Sequence, residues 1–308
     1  MAGAKPDFET IVRPYGDAAI ADAAALILDG GCVAVPTETV YGLAADATNG
    51  AAVAGIYAAK GRPGFNPLIV HVSNLEMARK LGIINDLSLE LAGRYWPGPL
   101  TLVVPRTTSS PISTLVTAGL STIAIRCPAH PAMQALIRAT GRPLAAPSAN
   151  ASGTISPTKA AHVLASLSGR IPLIIDAGQC EVGLESTIVA VGASSLRLLR
   201  PGPIDLGLAV ERSDSIEAPG QMASHYAPAK PLRLNAANAE TGEWLIGFGD
   251  VRGDATLSAS GNLLEAAAHL FDALHRADAG TKPRIAMAAI PHTGIGIAIN
   301  DRLSRAAA

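Results

Sequence analysis

The sequence contains little cysteine, few aromatic residues and almost no net charge. Its three cysteines, Cys32, Cys127 and Cys180, are far apart and form no CxxC pair or Cys/His cluster. This spacing predicts buried thiols in a reducing cytoplasm rather than a disulfide framework or a zinc finger. Aromatic residues make up 4% of the chain, so aliphatic side chains must build the core. The formal net charge of −1 gives no sign of an extended basic surface for nucleic acid.

Further absences narrow the class of protein. No apolar stretch is long enough to span a bilayer, and the N-terminal residues lack the apolar segment of a secretory signal. We therefore expect a soluble, cytoplasmic protein with no membrane partner. The chain also has no GxxxxGKS/T motif, so ATP, if it is bound, is not held by a P-loop.

Short apolar strands alternate with helical patterns along the first two thirds of the chain. Runs of β-branched residues bounded by Pro or Gly predict strands, at residues 32–36, 67–72, 100–105, 121–128 and 171–178. Helical periodicity lies between them, at residues 17–29, 51–60, 130–141 and 156–169. Ser156 and Pro157 are typical of the N-cap and first position of the last helix. A hairpin pattern at 186–202 indicates a sheet that is not purely parallel, so we predict an α/β fold with a mixed sheet.

The character of the chain changes after residue 204. Residues 205–231 contain acids, Ser, Pro and Gly without a sustained period, which is typical of a linker. Strand and helix patterns then alternate again to the C-terminus. We therefore predict a large domain at 1–204, an interdomain linker at 205–231 and a smaller α/β domain at 232–308.

Polar residues follow the predicted strands at several points. Thr39 lies in PTETVYGL, between a strand and a glycine turn, where ligands commonly bind; threonines that bond their own backbone are the alternative. Lys60 and Arg62 flank a glycine before Pro63, which puts two cations on a rigid turn suited to a polyphosphate. A solvated surface pair is the alternative for this KxR motif.

Two later motifs add an arginine and a set of hydroxyls. Arg126 ends an apolar strand, where it would either clamp a carboxylate or form a structural ion pair. Ser148 and Asn150 form an SxN motif ahead of a helix N-terminus, which favours an anion such as phosphate. A Ser-rich capping loop is the alternative. His71, inside an apolar strand, is by default a core histidine.

Taken together and in this order, the motifs closely resemble the L-threonylcarbamoyladenylate synthase family, the YrdC-like group, in its two-domain form. The resemblance is carried by PTETVYGL, KGRPGFNPLIVHV, WPGPLTLV, IAIRCPAHP, PLAAPSANASG, ESTIV and LLRPG, and continues through SHYAP and GIGIAINDRLSRAA. It covers nearly the whole chain, with the KxR and SxN motifs intact. It implies a twisted mixed sheet around a concave, positively lined cavity, followed by a Rossmann-like accessory domain.

The resemblance also implies an activity. L-threonine, bicarbonate or CO2 and Mg-ATP would give threonylcarbamoyl-AMP and pyrophosphate, with Mg2+ arriving on the nucleotide and no protein metal ligand. A downstream threonylcarbamoyl transferase complex would use the product to modify adenosine 37 of tRNAs that read codons beginning with A. Direct binding of tRNA by this chain is left open.

Site residues follow from the resemblance position by position. Those that match L-threonine-binding positions are Thr39, His71, Arg126, Ala146 (through its backbone) and Ser186. Those that match nucleotide-binding positions are Lys60, Arg62, Asn66, Thr122, Ser148, Asn150, Ser156, Arg200, His225 and Tyr226. Lys60 and Arg62 are the expected catalytic residues. The linker that carries His225 and Tyr226 departs from the usual basic-aromatic run before His-Tyr-Ala-Pro, and we interpret it as a candidate lid.

Two other functions compete with this interpretation. A YrdC-like module also occurs in carbamoyltransferases that use carbamoyl phosphate, but those are much larger chains with zinc fingers, and this sequence has no cysteine pairs for them. A non-catalytic RNA-binding module is the second alternative. The near-neutral charge and the scarcity of aromatic residues for base stacking weigh against it.

Overall fold

The computed structural model of the chain describes residues 8–64, 66–211, 217–220 and 225–308. Within these residues the strands form a large sheet and a small sheet. The strands of the large sheet are β1 (Ile11–Pro14), β2 (Val33–Pro36), β3 (Tyr41–Asp46), β4 (Ile69–His71), β5 (Leu100–Pro105), β6 (Thr122–Arg126), β7 (Leu144–Ala145), β8 (Leu173–Asp176), β9 (Thr187–Val191) and β10 (Leu196–Arg200). Those of the small sheet are β11 (Leu232–Arg233), β12 (Glu243–Gly247), β13 (Ala255–Thr256) and β14 (Arg284–Met287).

Helices connect the strands and cover both sheets. They are α1 (Asp17–Leu28), α2 (Gly50–Lys60), α3 (Leu75–Arg79), α4 (Asp86–Tyr95), α5 (Thr114–Thr117), α6 (Pro131–Thr140), α7 (Ala160–Leu167), α8 (Leu263–Ala279) and α9 (Gly296–Ala306). The predicted helices at 51–60 and 130–141 match α2 and α6 to within a residue.

The large sheet has ten strands in the order β1-β8-β2-β3-β7-β4-β6-β5-β9-β10. Parallel pairs such as β2/β8 and β5/β9 alternate with antiparallel pairs such as β2/β3 and β5/β6. The hairpin predicted at 186–202 is formed by β9 and β10, which pair antiparallel. The predicted α/β fold with a mixed sheet is therefore confirmed.

The small sheet has the order β11-β14-β12-β13, and its three strand pairs are all parallel. Helices α8 and α9 supply apolar faces to a core with β12 and β14, through residues such as Phe271, Ile285 and Ile299. A parallel sheet whose crossover connections include helices is the Rossmann-like arrangement that was expected.

The turn after α2 determines where two predicted site residues lie. Asn49 caps the helix by accepting from the N–H groups of Ala51 and Ala52. Gly61 ends it with a left-handed φ of 62°, a conformation that favours glycine. Because the chain reverses at this glycine, Lys60 and Arg62 leave the helix end in different directions.

Helix α7 begins later than the sequence predicts. We expected Ser156 as its N-cap and Pro157 at its first position, but the helix starts at Ala160 with Lys159 as the N-cap. The Ser156 hydroxyl donates instead to the carboxylate of Glu185, a residue far along the chain. The Ser156 hydroxyl, which the local sequence predicts as a helix cap, therefore makes a tertiary hydrogen bond instead.

The two sheets share one hydrophobic cluster. Val40, Ile155 and Leu184 from the large-sheet side pack with Tyr226 and with the core of the small sheet, including Phe271. The predicted limits at 1–204, 205–231 and 232–308 stay a prediction, and residues 212–216 and 221–224 of the linker lie outside the described residues. In the part of the chain that the structure describes, no helix is both long and apolar enough to cross a membrane.

Candidate functional site

A cavity lies where the edges of β3, β4 and β6 meet the β9–β10 hairpin and the segment around residue 225. It is lined by Thr39, His71, Arg126, Ser148, Arg200 and Tyr226, among others. We call it the central cavity. Its volume is about 50 Å³, room for a few water molecules and far below the several hundred Å³ that a nucleotide site needs. His225 and Tyr226 of the linker also line the cavity and occupy part of this space.

The KxR and SxN motifs meet behind the wall of the central cavity. Lys60 Nζ donates to the backbone carbonyls of Ser148, over 2.5 Å, and Asn150, over 2.6 Å. The side chain is 2% exposed, and burial, with a contribution from the charge of Arg62, lowers its pKa well below the ordinary value. Lys60 is therefore bonded to the loop that carries Ser148 instead of pointing into the cavity.

Arg62 does line the central cavity. Its guanidinium donates to the carbonyls of Asn66, over 3.3 Å, and Pro67, over 3.0 Å, which fix its orientation. Burial lowers the pKa of Arg62 to about 10, so the group remains positive at neutral pH. Arg200 lines the same cavity, and both cations therefore face one space.

Arg126 occupies the end of β6 and is held by three acceptors. It donates to Glu38 Oε1 over 2.7 Å, to Thr39 Oγ1 over 3.0 Å and to the carbonyl of Gly98 over 3.3 Å. The ion pair that the sequence left open is present, with Glu38 as partner, and the clamp for a substrate carboxylate stays a prediction. Burial alone would raise the pKa of Glu38, but the adjacent Arg126 lowers it below its usual value.

His71 lies beside Arg126 at the end of the neighbouring strand β4. Burial, and to a smaller extent the charge of Arg126, lowers the pKa of His71 to about 3, so its imidazole is neutral at physiological pH. Its Nδ1 is buried and has no hydrogen-bond partner among the described residues. The ring lines the central cavity, where such a nitrogen can bond a ligand.

The β9–β10 hairpin brings Ser186 and Arg200 together. Arg200 donates to the Ser186 carbonyl through Nε and Nη2, over 3.1 and 2.9 Å, and Nη2 also reaches the Ser186 hydroxyl over 3.1 Å. That hydroxyl bonds Thr101 Oγ1 over 2.7 Å. Arg200 is thus held by neutral oxygens and keeps its full charge for a ligand.

The remaining predicted residues divide into those that line the cavity and those that do not. Ala146 lines it, but its N–H donates to Ile69, so its carbonyl is the backbone group left for a ligand. Asn150 and Asn66 lie behind the wall in the loops that hold Lys60 and Arg62. Thr122 lies at the start of β6, about 13 Å along the strand from Arg126. Ser156 is fully buried against Glu185.

His225 and Tyr226 both line the central cavity. The ring of Tyr226 is 1% exposed and stacks on Phe271 with 5.8 Å between ring centroids. Burial lowers the pKa of His225 to about 3. Neither His225 Nδ1 nor the Tyr226 hydroxyl has a hydrogen-bond partner within the described part of the chain. Both rings therefore occupy space in the cavity that Arg62 and Arg200 also line.

Three residues at this site were missed from the sequence: Glu38, Glu185 and Arg302. Glu38 and Glu185 each lie in a quoted motif, and each follows a strand or precedes one, which is the signal that could have identified them. Their partners, Arg126 and Arg302, are 88 and 117 residues away along the chain. Pairs of residues so far apart cannot be predicted from a local sequence pattern.

The carboxylates at the cavity are both committed to arginine. Glu38 pairs with Arg126 and Glu185 with Arg302. Within the described residues no group of three or more His, Cys, Asp or Glu side chains could hold a metal ion.

The fold and the cavity define a class of protein: a YrdC-like α/β domain joined to a small parallel α/β domain. A family model of the Sua5, YciO and YrdC group, described as "Telomere recombination", matches residues 25–202. A second model, described as "Threonylcarbamoyl-AMP synthase, C-terminal domain", matches residues 186–308.

Individual relatives match along almost their full lengths. Threonylcarbamoyl-AMP synthase of Bacillus subtilis (strain 168) is 41% identical, over 94% of this chain and 93% of the relative. Its namesake from Pyrococcus abyssi is 37% identical over 92% of each chain. The crystal structure of P. abyssi Sua5 complexed with L-threonine has a TM-score of 0.88 and 35% identity, with 97% of each chain covered. The chain belongs to the threonylcarbamoyl-AMP synthase family, which confirms the resemblance and the prediction that it is an enzyme of this family.

Proposed function

We propose that the chain makes threonylcarbamoyl-AMP from L-threonine, bicarbonate or CO2 and Mg-ATP, and releases pyrophosphate. The observation that carries the proposal is the central cavity, which is lined by Arg126, Thr39 and Ser186 and also by Arg62 and Arg200. The first set suits an amino acid and the second suits a polyphosphate. The carbamate of threonine and the triphosphate are both anionic, and buried cations around one space offset their repulsion.

The threonine side of the cavity is built around Arg126. We propose that its guanidinium takes the substrate carboxylate while Glu38 holds it from behind. The hydroxyls of Thr39 and Ser186 lie within the same wall and suit the substrate's polar side chain. His71 is neutral, with a pKa of about 3, so it serves as a hydrogen-bond partner and not as a base for the amine.

The chemistry has two steps that balance without a covalent enzyme intermediate. The threonine ammonium and bicarbonate give a carbamate, with loss of one water and one proton. A carbamate oxygen then attacks the α-phosphorus of ATP, and the bond to pyrophosphate breaks. No nucleophile–base pair is required, so positioning and charge stabilisation supply the rate.

The nucleotide is assigned to Arg62 and Arg200, which line the central cavity together with Ser148. Both arginines are held by neutral carbonyls, which leaves their charge for the developing negative charge on the phosphates. Lys60 acts from behind by fixing the loop of Ser148. Magnesium enters as part of the substrate Mg-ATP, as counter-ion to the phosphates.

Entry of substrates requires the linker to move. A volume of about 50 Å³ does not admit an amino acid and a nucleotide, and His225 and Tyr226 occupy the space beside Arg62 and Arg200. We propose that the segment around these two residues opens to admit the substrates and closes to exclude water from the labile product. We propose that the large domain ends at residue 204, that the linker covers residues 205–231, and that the small domain begins at residue 232.

The product, threonylcarbamoyl-AMP, carries an activated carbonyl, so a partner transferase must consume it. We propose that this partner transfers the group to adenosine 37 of tRNAs that read codons beginning with A.

The test is product formation from the three substrates. The enzyme is incubated with L-threonine, Mg-ATP and 13C-labelled bicarbonate, and the products are resolved by mass spectrometry. We expect threonylcarbamoyl-AMP that carries the heavy carbon, with one pyrophosphate per product and no reaction when any substrate is omitted. Pyrophosphate release that depends on carbamoyl phosphate instead of threonine, or RNA binding without ATP turnover, would contradict the proposal.

A further inference from the structure

Arg302 is a fully buried arginine that reaches from the C-terminal helix α9 to the rear of the nucleotide side of the central cavity. Its side chain is 0% exposed. Nε donates to Glu185 Oε2 over 2.8 Å, Nη2 to the carbonyl of Pro201 over 3.0 Å, and Nη1 to Asp301 Oδ2 over 2.7 Å. Glu185 and Pro201 both belong to the large-sheet part of the chain, so Arg302 joins the two parts.

Glu185 relays this contact to a predicted nucleotide-binding residue. Its second oxygen accepts from the hydroxyl of Ser156, which is itself fully buried. Burial alone would raise the pKa of Glu185, but the charge of Arg302, followed by that of Arg200, lowers it below the usual value. The carboxylate is thus ionised and shared between Arg302 and Ser156.

The same guanidinium also holds the linker. Arg302 Cζ lies 5.3 Å from the centroid of the Tyr226 ring, within the range of a cation–π contact. Tyr226 lines the central cavity. One side chain of α9 therefore contacts two residues that line the cavity, Glu185 and Tyr226.

Arg302 also decides which cation Glu185 pairs with. Arg200 follows Glu185 by only fifteen positions and lies close enough to affect its pKa. Because Arg302 takes the carboxylate, Arg200 remains on the neutral oxygens of Ser186. Without Arg302, Glu185 would be a buried carboxylate without its partner next to Arg200, and the two would attract.

We propose that Arg302 is a positioning residue for the nucleotide side of the central cavity. It fixes Glu185, which lines the cavity and accepts from the Ser156 hydroxyl, and it seats Tyr226 and keeps Arg200 available for phosphate. A buried ion pair is seldom more stabilising than apolar residues of the same volume, which favours an orienting role over a purely structural one. This inference rests on the proposed function, because it assumes that the cavity takes a nucleotide.

The experiment compares Arg302→Lys and Arg302→Met with Arg284→Met, an exposed arginine of the same domain whose guanidinium donates to the carbonyl of Thr241. We expect Arg302→Met to raise KM for ATP about tenfold and Arg302→Lys to lie between it and the wild type. The dissociation constant for L-threonine, measured by calorimetry without nucleotide, stays within about twofold, because the hydrogen bonds of Arg302 go to Glu185, Pro201 and Asp301, and the Ser186 hydroxyl keeps its bond to Thr101. Arg284→Met leaves both constants unchanged.

A double variant separates positioning from general destabilisation. If Arg302 acts through Ser156, Ser156→Ala adds little to the KM for ATP in the Arg302→Met background, so the two effects are less than multiplicative. Should Arg302→Met fail to fold, the comparison is made with Arg302→Lys. A folded Arg302 variant with an ATP KM within twofold of the wild type overturns the inference, as does an equal rise in both substrate constants or a fully multiplicative double variant.

A binding measurement keeps the two proposals distinct. The affinity for a non-hydrolysable ATP analogue is measured by calorimetry for the same variants. If the wild type binds the analogue but makes no threonylcarbamoyl-AMP, the proposed function fails while the loss of affinity in Arg302→Met still supports the positioning role. Unchanged analogue affinity in Arg302→Met and Arg302→Lys contradicts that role whatever the reaction is.

Discussion

Lys60 Nζ donates to the backbone carbonyl of Asn150 over 2.6 Å, so the KxR and SxN motifs form one hydrogen-bonded unit. The lysine ends helix α2, and Asn150 holds its own loop by donating to the carbonyl of Thr154 over 2.8 Å. The unit fixes the loop that brings Ser148 to the central cavity. We therefore propose that Lys60 acts on a substrate through this loop, whereas Arg62 lines the cavity itself.

Removal of either cation is expected to slow the reaction. For Lys60→Met and Arg62→Ala we expect kcat/KM for ATP to fall by an amount equivalent to about 2–4 kcal/mol in the activation barrier. Arg62→Ala removes a cation from the cavity, and Lys60→Met releases the loop that Lys60 holds. The measurement is pyrophosphate release from threonine, bicarbonate and Mg-ATP. Arg79→Ala, an exposed arginine on α3, is the matched control. Wild-type turnover in folded Lys60→Met and Arg62→Ala would contradict the assignment.

The Arg126–Glu38 pair permits stability and substrate binding to be separated. Arg126→Met leaves the Glu38 carboxylate buried without its partner, which should lower the free energy of unfolding by about 3–5 kcal/mol. The double variant Arg126→Met/Glu38→Gln removes both charges, so most of this stability should return while the affinity for L-threonine stays weak.

Urea unfolding and calorimetry with L-threonine measure the two quantities. Arg142→Met is the control, because Arg142 is exposed and lies 3.9 Å from Asp46, so its loss should change stability by less than about 1 kcal/mol. A double variant that binds threonine as the wild type does would show that Arg126 serves the fold and not the substrate.

A stacked histidine pair makes the contact between the two parts of the chain sensitive to acid. His162 on α7 and His275 on α8 have ring centroids 3.9 Å apart, and Asp272 and Lys159 lie beside them. Burial, followed by the proximity of His275, lowers the pKa of His162 to about 4. The unfolded chain therefore takes up a proton below pH 6.5 that the folded chain does not, so stability present above that pH is lost as pH falls toward 4.

The pH prediction is tested by urea unfolding at pH 7.5 and 5.5. Of the total loss on acidification, about 1 kcal/mol should come from His162, after allowance for its partial exposure. His71 and His225, whose pKa values are lowered to about 3, add losses of stability of the same sign. His162→Gln should lose less stability between the two pH values than the wild type. An equal loss in both proteins would contradict the role of His162.

The proposed lid predicts a change in product lifetime. His225→Ala/Tyr226→Ala removes the two rings from the mouth of the cavity, so water should reach the bound product more readily. We expect the ratio of intact threonylcarbamoyl-AMP to released pyrophosphate to fall severalfold, as measured by mass spectrometry in single-turnover reactions. A ratio equal to that of the wild type would mean that the segment does not protect the product.

Local patterns were enough to predict much of the fold. The hairpin β9–β10 and the helices α2 and α6 each have a period and boundary residues that depend on neighbouring positions only. Strand β3 was missed because Gly42 and the preceding threonines are typical of a turn, and it is pairing with β2 and β7 that makes the segment a strand. Strand order depends on contacts between distant segments, so the sequence did not provide it.

The sequence predicted the arginines that line the cavity, but not the carboxylates that pair with arginines at the site. The motifs of Arg62 and Arg126 suggested anion binding, and Arg200 followed from the resemblance to the family. Glu38 and Glu185, which pair with Arg126 and Arg302, acquire their roles only when the fold brings the partners together. Ser156 illustrates the difference, because its sequence neighbours predict an N-cap and its distant neighbour Glu185 takes the hydroxyl.

The central claim is that one cavity holds the amino acid and the nucleotide together. A stable sulfamoyl analogue of threonylcarbamoyl-AMP tests it directly, in an equilibrium competition against labelled L-threonine and a labelled non-hydrolysable ATP analogue. The account predicts that one equivalent of the analogue displaces both ligands, and that Arg62→Ala and Arg126→Met each weaken it. Displacement of only one ligand, or displacement of the two at separate stoichiometric sites, would contradict the account.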